Sequence, residues 1–278
     1  QNPVKIGFAA DYNDAFADNL SFTIGADLPA PPDPAPPVSK VGDLQHVYMV
    51  YMENKGYSDI LGSPNAPFTN SLINAYGFAD NYYALTHGSL PNYYPIVGGT
   101  DFGLTYGGDN FGVTWNCATA CIDVPKADTL PGQLDAAGLV WRSYAQSLEP
   151  GGNPLVSEGD YAFDETGFPA YQFIYDDPAY AKEHIVPLEQ MAIDLQSADT
   201  APAYAWFAAN EDFNGEGPVD TIGGMLKFAL SQIGDHQYNV PALDQYLSET
   251  VPTIMNSNAW KSDESSVIVV TFDEDNNN

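Results

Sequence analysis

The stretch Gln45-His46-Val47-Tyr48-Met49-Val50-Tyr51-Met52 is largely apolar and leads directly into Glu53-Asn54. A second apolar stretch, Ser266-Val267-Ile268-Val269-Val270-Thr271-Phe272, leads into Asp273-Glu274-Asp275. Such runs are typical of buried strands in parallel sheets. Because ligand sites in open α/β sheets form outside the carboxyl ends of the strands, the two stretches predict oxygen ligands from distant parts of the sequence in one crevice. This donor type suits a hard or borderline metal ion.

The sequence between these two stretches alternates between helical and extended patterns. Helical spacing is found over 68–76, 90–97, 130–137, 180–195 and 240–254, and extended runs over 139–144 and 203–208. This alternation predicts an α/β fold with a mostly parallel sheet and helices on both faces. A Pro-rich spacer over 28–37 predicts an N-terminal arm and linker over 1–40, followed by one enzyme-like domain over 41–278.

The chain is strongly acidic, with 37 Asp and Glu against 8 Lys and Arg and a formal net charge of −29. This charge argues against nucleic acid and anionic membranes as partners. Phosphate esters stay possible, because salt screens the charge beyond about 8 Å and a bound divalent cation reverses it locally. The sequence predicts no transmembrane segment, since it has no apolar run of the required length. Its first residues, Gln1-Asn2-Pro3, fit a processed end, so we expect a secreted, periplasmic or cell-surface protein.

Cys117 and Cys121 are the two cysteines of the chain. A spacing of four allows a disulfide if the loop turns, and an exported protein favours one. Two thiols are too few for a structural zinc site unless His or carboxylates contribute.

The segment Thr86-His87-Gly88-Ser89-Leu90-Pro91-Asn92-Tyr93 contains the candidate nucleophile, Ser89. A serine hydroxyl needs a base, a metal or a helix N-terminus to become reactive, and Ser89 precedes a predicted helix. Alternatively, Ser89 only caps that helix, whose first turn contains Pro91. Asn92 can donate to a phosphoryl oxygen or satisfy a loop carbonyl.

His236 is either a ligand, a general acid or a solvated loop residue. The other histidines are His46, His87 and His184, and we interpret His46 and His184 as structural. Four histidines make a His-rich binuclear zinc centre hard to assemble. The Gly-rich stretch 215–224 lacks the spacing and the Lys of a P-loop, which argues against nucleotide binding there.

Three motifs together resemble a known family. They are Met52-Glu53-Asn54, the stretch 81–93 with Ser89-Leu90-Pro91-Asn92, and Val269 to Glu274. They are similar to the phosphoesterase family that contains bacterial and fungal acid phosphatases and phosphocholine-type phospholipases C, within the alkaline phosphatase superfamily. The resemblance implies an alkaline phosphatase-like fold and a Ser89 that is phosphorylated and then hydrolysed. It also implies a divalent ion (Ca, Mg, Mn, Fe or Zn) held by Glu53, Asn54, Ser89, Asp273 and Glu274.

The catalytic set expected from the residues and the resemblance is Ser89, His87, Asn92 and His236. Asp235-His236 is similar to the family's Asp-x-His segment. The family's basic-His-Pro stretch is replaced near Thr166-Gly167-Phe168-Pro169. Relatives also continue beyond the position of Asn278, so we expect a C-terminally incomplete domain.

These observations predict a metal-dependent phosphoric ester hydrolase, in the first place an acid-phosphatase-like monoesterase. Its partner is then a small phosphate ester or, second, a phospholipid head group, because no amphipathic membrane-binding helix is evident. The alternative is a secreted structural or surface protein that keeps the fold without activity. The 18 Tyr suit interfaces and allow self-association.

Overall fold

One parallel sheet forms the centre of the molecule. The computed structural model describes residues 44–103, 117, 121–218, 221–231, 234–262 and 265–275, and the arm predicted over 1–40 lies outside them. The strands are β1 (His46–Met52), β2 (Trp141–Ala145), β3 (Ile185–Pro187), β4 (Tyr204–Ala208) and β5 (Ser266–Phe272). They are arranged in the order β3-β2-β4-β1-β5, and every pair of neighbours is parallel. This confirms the predicted α/β class.

Helices connect the strands. They are α1 (Tyr57–Ile60), α2 (Pro67–Ala75), α3 (Leu90–Gly98), α4 (Leu130–Ala136), α5 (Gln172–Tyr175), α6 (Pro178–His184), α7 (Met191–Asp194), α8 (Ile222–Ser231), α9 (Val240–Asn256) and α10 (Asn258–Ser262). In the described part of the chain, no helix has both the length and the apolarity that a bilayer crossing requires.

Alternating side chains of β1 enter two separate cores. Tyr48, Val50 and Met52 pack into one core together with residues of α9, whereas Tyr51 packs into the other with residues of α3. The Tyr51 ring stacks on Trp206 of β4, with ring centroids 4.8 Å apart. Because consecutive strand residues point to opposite faces, this pattern covers both faces of the sheet, as predicted.

The single helix predicted over 180–195 is wrong. The structure has α6, then β3, then α7 in this region, and β3 pairs with β2 at the edge of the sheet. Pro187 has no N–H to continue a helix and disfavours helical geometry at the preceding residue. Ile185 and Val186 are β-branched, and pairing with β2 supplies hydrogen bonds that a helix interrupted by Pro187 cannot.

One helix, α8, was not predicted from the sequence. It begins at Ile222, within the Gly-rich stretch 215–224, and continues to Ser231. Ile222, Met225, Leu226 and Leu230 are exposed on it. Two glycines near its start lowered its helical signal in the sequence, because glycine is a poor helix former.

The predictions for the cysteines and for two histidines are confirmed. Cys117 and Cys121 form a disulfide. His46 Nδ1 lies 2.9 Å from the carbonyl oxygen of Pro202, and His184 Nδ1 lies 3.0 Å from that of Trp141. Both histidines are buried and structural.

Candidate active site

The register between β1 and β5 brings the two acidic strand ends together. Met52 pairs with Phe272, so Glu53 and Asp273 are the next residues on neighbouring strands. The Asp273 N–H donates to the Met52 carbonyl at 3.0 Å, and the Asn54 N–H donates to Asp273 Oδ1 at 2.9 Å. The side chains of Glu53 and Asp273 are each 1% exposed. The predicted convergence of these segments is therefore present in the fold.

Ser89 reaches this carboxylate pair from the start of α3. Its Oγ donates to Glu53 Oε2 at 2.9 Å, and the same oxygen accepts from Asn54 Nδ2 at 2.6 Å. Ser89 occupies the N-cap position, yet in the described structure its side chain makes no capping hydrogen bond. The geometry therefore disfavours the alternative in which Ser89 only caps the helix.

Glu274 fixes the loop that carries Ser89. Its Oε2 accepts from the Gly88 N–H at 2.6 Å and lies 2.9 Å from His87 Nδ1. The other ring nitrogen of His87 is 4.0 Å from Asp275 Oδ1. His87 thus lies two residues before the nucleophile in the same loop, with its ring oriented by carboxylates of the β5 end.

Asn92 braces the same loop from within α3. Its Oδ1 accepts from the N–H groups of Leu85 and Thr86, and its Nδ2 donates to the carbonyls of Thr86 and Gly88, at 2.9 to 3.2 Å. The side chain is 4% exposed. Of the two interpretations left open by the sequence, these contacts favour loop support, and a contact with a phosphoryl oxygen stays a prediction.

His236 lies on the connection between α8 and α9. Its Nδ1 is buried and has no hydrogen-bond partner among the described residues. The following residue, Gln237, donates to the Asp59 carbonyl at 2.9 Å and accepts from Ser63 at 2.6 Å, so this connection packs near α1 and α2. None of the contacts described for Ser89 or Glu53 involves His236, and its predicted role stays a prediction.

Two further acids that the sequence analysis missed lie behind Glu53. Glu165 is 6% exposed; its Oε1 accepts from Asn214 Nδ2 at 2.9 Å and its Oε2 from the Tyr93 hydroxyl at 3.4 Å. Glu216 is the second acid, and it lies with Asn214 on the segment over residues 214–218. Their charges act on Glu53, and the only sequence signal for either was the position of Glu216, eight residues beyond the end of the buried strand β4 at Ala208. Asp and Glu are too abundant in this chain for that signal to stand out.

The site buries several carboxyl groups close to one another. Burial, followed by the charge of Asp273, raises the pKa of Glu53 well above its usual range. Burial also raises the pKa of Asp273, and burial together with the Asp273 charge raises the pKa of Glu274 to about 9. Lys55 is the buried cation nearby; its Nζ donates to the Asn54 carbonyl at 3.0 Å, and burial lowers its pKa to about 8. One lysine cannot balance all of these carboxyl groups once they ionise.

The residues at the β1 and β5 ends fit a divalent cation, although among the described residues no three His, Cys, Asp or Glu side chains form a metal site by themselves. Asp273 Oδ2 is buried and accepts no hydrogen bond from any part of the chain that is described. An oxygen acceptor of this kind is costly unless a cation or a proton satisfies it. Asn54 and Ser89 add neutral oxygens beside the carboxylates, and such an all-oxygen set suits a hard cation.

The chain is similar in sequence to known phosphatases. The chain is 25% identical over 237 residues to a phosphatidylinositol-3-phosphatase of Mycobacterium tuberculosis, covering 85% of this chain and 66% of the relative. It is 30% identical over 118 residues to an acid phosphatase of Aspergillus fumigatus, covering 41% of this chain and 23% of the relative. The chain thus spans slightly less than two thirds of the first relative and about a quarter of the second. The model of the phosphoesterase family matches residues 60–277, and the chain belongs to this family.

Proposed function

We propose that this chain carries the active site of a phosphoric monoester hydrolase in which Ser89 is the nucleophile. The observation that carries the proposal is the 2.9 Å hydrogen bond from Ser89 Oγ to Glu53 Oε2 at the carboxyl edge of the sheet. A serine hydroxyl that donates to a buried carboxylate is positioned to lose its proton. Family membership and the phosphatase names of both relatives support the same reaction class.

In the first step, Ser89 Oγ attacks phosphorus, its proton passes to Glu53, and the bond from phosphorus to the ester oxygen breaks. The departing oxygen takes up a proton, for which His87 and His236 are the candidates. In the second step, water attacks the phosphoserine and gives a proton to the histidine that protonated the departing oxygen. The bond from phosphorus to Ser89 Oγ breaks, Ser89 Oγ takes back the proton held by Glu53, and inorganic phosphate leaves. The raised pKa of Glu53 makes its carboxylate a stronger base than an exposed glutamate, which favours this transfer.

The chain supplies stabilisation for the negative charge that develops on the reacting oxygens. Ser89 occupies the N-cap of α3, where the helix dipole favours negative charge. Glu53, Asn54, Ser89, Asp273 and Glu274 are the residues that would hold a divalent cation, which when bound supplies positive charge to the phosphoryl group. Asn92 and Glu274 keep the loop before Ser89 in place for the attack.

Hydrolysis of an aryl phosphate tests the proposal. Wild type is compared with Ser89→Ala in the presence of a divalent cation and in the presence of a chelator. Ser71→Ala is the matched control, because Ser71 lies on α2 and its hydroxyl donates to its own helix at the Phe68 carbonyl, 2.6 Å away. We expect Ser71→Ala to retain activity and Ser89→Ala to lose it. Acid-quenched wild type should carry one phosphoryl group on Ser89 by mass spectrometry.

Two results separate the alternatives. Activity that survives Ser89→Ala contradicts the nucleophile. Absence of hydrolysis by wild type with every cation tested favours the alternative of a protein that keeps the fold without activity.

We also propose an exported location, which the Cys117–Cys121 disulfide supports, since such bonds persist in oxidising compartments. For the substrate, the name of the mycobacterial relative supports phosphomonoesters that are carried on lipids as well as small ones.

A further inference from the structure

Helix α8 presents its apolar side to solvent. Gly224 and Ser231 are buried and Phe228 is half-buried on the side facing the protein. The exposed fractions are 87% for Ile222, 52% for Met225, 60% for Leu226 and 48% for Leu230. At 3.6 residues per turn these four side chains lie within a sector of about 140°. An amphipathic helix in a globular protein normally has the opposite orientation.

Close packing connects α8 to the active site. The Glu53 N–H donates to the Asn214 carbonyl at 2.8 Å, so the 214–218 segment is attached directly to the end of β1. At the other end of this segment, a Cβ on Gly224 would overlap the carbonyl oxygen of Pro218. The contact therefore requires glycine and places α8 directly on the segment that borders Glu53. Segment 214–218 thus links the first turn of α8 to the carboxyl end of β1, where Glu53 contacts the reactive serine.

The charge of α8 differs from that of the rest of the chain. Residues 222–231 contain one charged side chain, Lys227, and no acid, in a protein with a net charge of −29. A basic protein or peptide would be attracted to the acidic surface elsewhere rather than to this helix. A neutral apolar face with a lysine at its margin suits the surface of a lipid bilayer. The apolar side chains can contact the hydrocarbon region, and the lysine can extend its amine to the phosphates of the head groups.

We propose that α8 lies in the surface of a phospholipid bilayer and brings lipid phosphomonoesters to Ser89. Adsorption to the bilayer follows from α8 alone, whereas presentation of a substrate rests on the proposed hydrolase function. Electrostatics limit the lipid composition: the acidic chain should adsorb best to zwitterionic bilayers, and anionic lipid should weaken adsorption at low salt.

Co-sedimentation of the full chain with phosphatidylcholine vesicles tests adsorption. The variant is Met225→Ser with Leu226→Ser, and the matched control is Ile193→Ser, because Ile193 is 58% exposed on α7, away from α8 in the chain. Wild type and Ile193→Ser should bind equally. The double variant should bind about tenfold more weakly or worse, since it removes two large apolar side chains from the lipid contact.

Activity forms the second arm of the test. Hydrolysis of a soluble aryl phosphate should be unchanged in the double variant, while hydrolysis of a phosphomonoester lipid in vesicles should fall in parallel with binding. Loss of the soluble activity in every protein, with adsorption intact, contradicts the proposed function and leaves adsorption standing. Equal vesicle binding by wild type and the double variant overturns the proposal, as does wild type that does not bind. A dimer that the double variant dissociates, without vesicle binding by wild type, assigns the face to self-association instead.

Discussion

Gly215→Ala should perturb the active site through the backbone of Glu53, while every side chain of the site itself stays the same. Gly215 has φ +113°, a region that L-residues rarely adopt, and a Cβ there would lie 2.5 Å from the Glu53 carbonyl oxygen and 2.7 Å from Leu243 Cδ1. Ordinary contacts begin at 3.4 Å, so the Glu53 backbone or the 214–218 segment must move by close to an ångström. We expect the free energy of unfolding to fall by about 3 kcal/mol, from backbone strain and overpacking together.

Activity should fall as well, because Glu53 Oε2 holds Ser89 Oγ at 2.9 Å. A displacement of about 1 Å in a positioned catalytic group costs about 100-fold in rate. The assays are chemical denaturation and kcat on an aryl phosphate in the presence of a divalent cation.

Gly138→Ala is the matched control for Gly215→Ala. Gly138 also has a positive φ, +70°, but nothing lies within 4 Å of the Cβ position. It precedes the amino end of β2, whereas the active site lies at the carboxyl ends of β1 and β5. It should lose about 1 kcal/mol from backbone strain and keep its kcat. If the two variants lose the same stability and both keep wild-type activity, the close contact between Gly215 and Glu53 does not position the active site.

Three further predictions concern the buried charges and the loop. Burial raises the pKa of Glu216 to about 8 and that of Glu274 to about 9, so between roughly pH 4.5 and those values the folded chain holds protons that the unfolded chain releases. The free energy of unfolding of the cation-free protein should therefore fall as pH rises through this window, by up to about 1.4 kcal/mol per pH unit for each group. Chemical denaturation in the presence of a chelator measures this change, and a free energy of unfolding that rises with pH would contradict the prediction. A divalent cation at about pH 8 should raise the Tm of wild type but not of Asp273→Asn, since cation binding stabilises only the fold that holds it; equal shifts in differential scanning fluorimetry would refute the ligand assignment. Asn92→Ala should lose about 2 kcal/mol in denaturation and reduce kcat, because it removes the hydrogen bonds that hold the Ser89 loop; unchanged kcat would show that the loop holds itself.

The central part of the fold could be predicted because its signals are local. The apolar runs of β1 and β5 end in polar residues at definite positions, and the parallel rule alone places those ends at one edge. The edge strand β3 could not be predicted in the same way. Its three residues, Ile185 to Pro187, are stabilised as a strand by the neighbouring Ser143–Ala145 of β2, and this long-range pairing overrides the helical spacing around them.

The residues at the centre of the candidate site could be predicted from the sequence, whereas the residues that surround them could not. Glu53 and Asp273 follow recognisable strand ends and Ser89 precedes a recognisable helix. Glu165, in contrast, reaches the site from a short 3-10 helix between β2 and β3. Nothing in the local sequence marks Glu165 as buried, because its burial depends on Trp206, whose Nε1 donates to the Glu165 carbonyl at 2.9 Å. Asn92 shows a second limit of the sequence. An asparagine at this position fits both a substrate contact and loop support, and only the positions of its hydrogen-bond partners favour one of these roles over the other.

The acids around Glu53 destabilise the fold locally, and the remainder of the fold compensates for this cost. Buried carboxylates that raise one another's pKa destabilise a cation-free fold at neutral pH, and Lys55 offsets only a small part of this cost. The aromatic cores on both faces of the sheet supply the stability that lets the fold retain them. Conflicts of this kind concentrate at functional sites, because the same repulsion that weakens the empty fold strengthens its affinity for positive charge. A phosphate dianion would add further negative charge to the cation-free site, so we expect the chelated protein to bind inorganic phosphate poorly. Tight phosphate binding in chelator, measured by calorimetry, would show that backbone N–H groups and Lys55 suffice to hold the substrate.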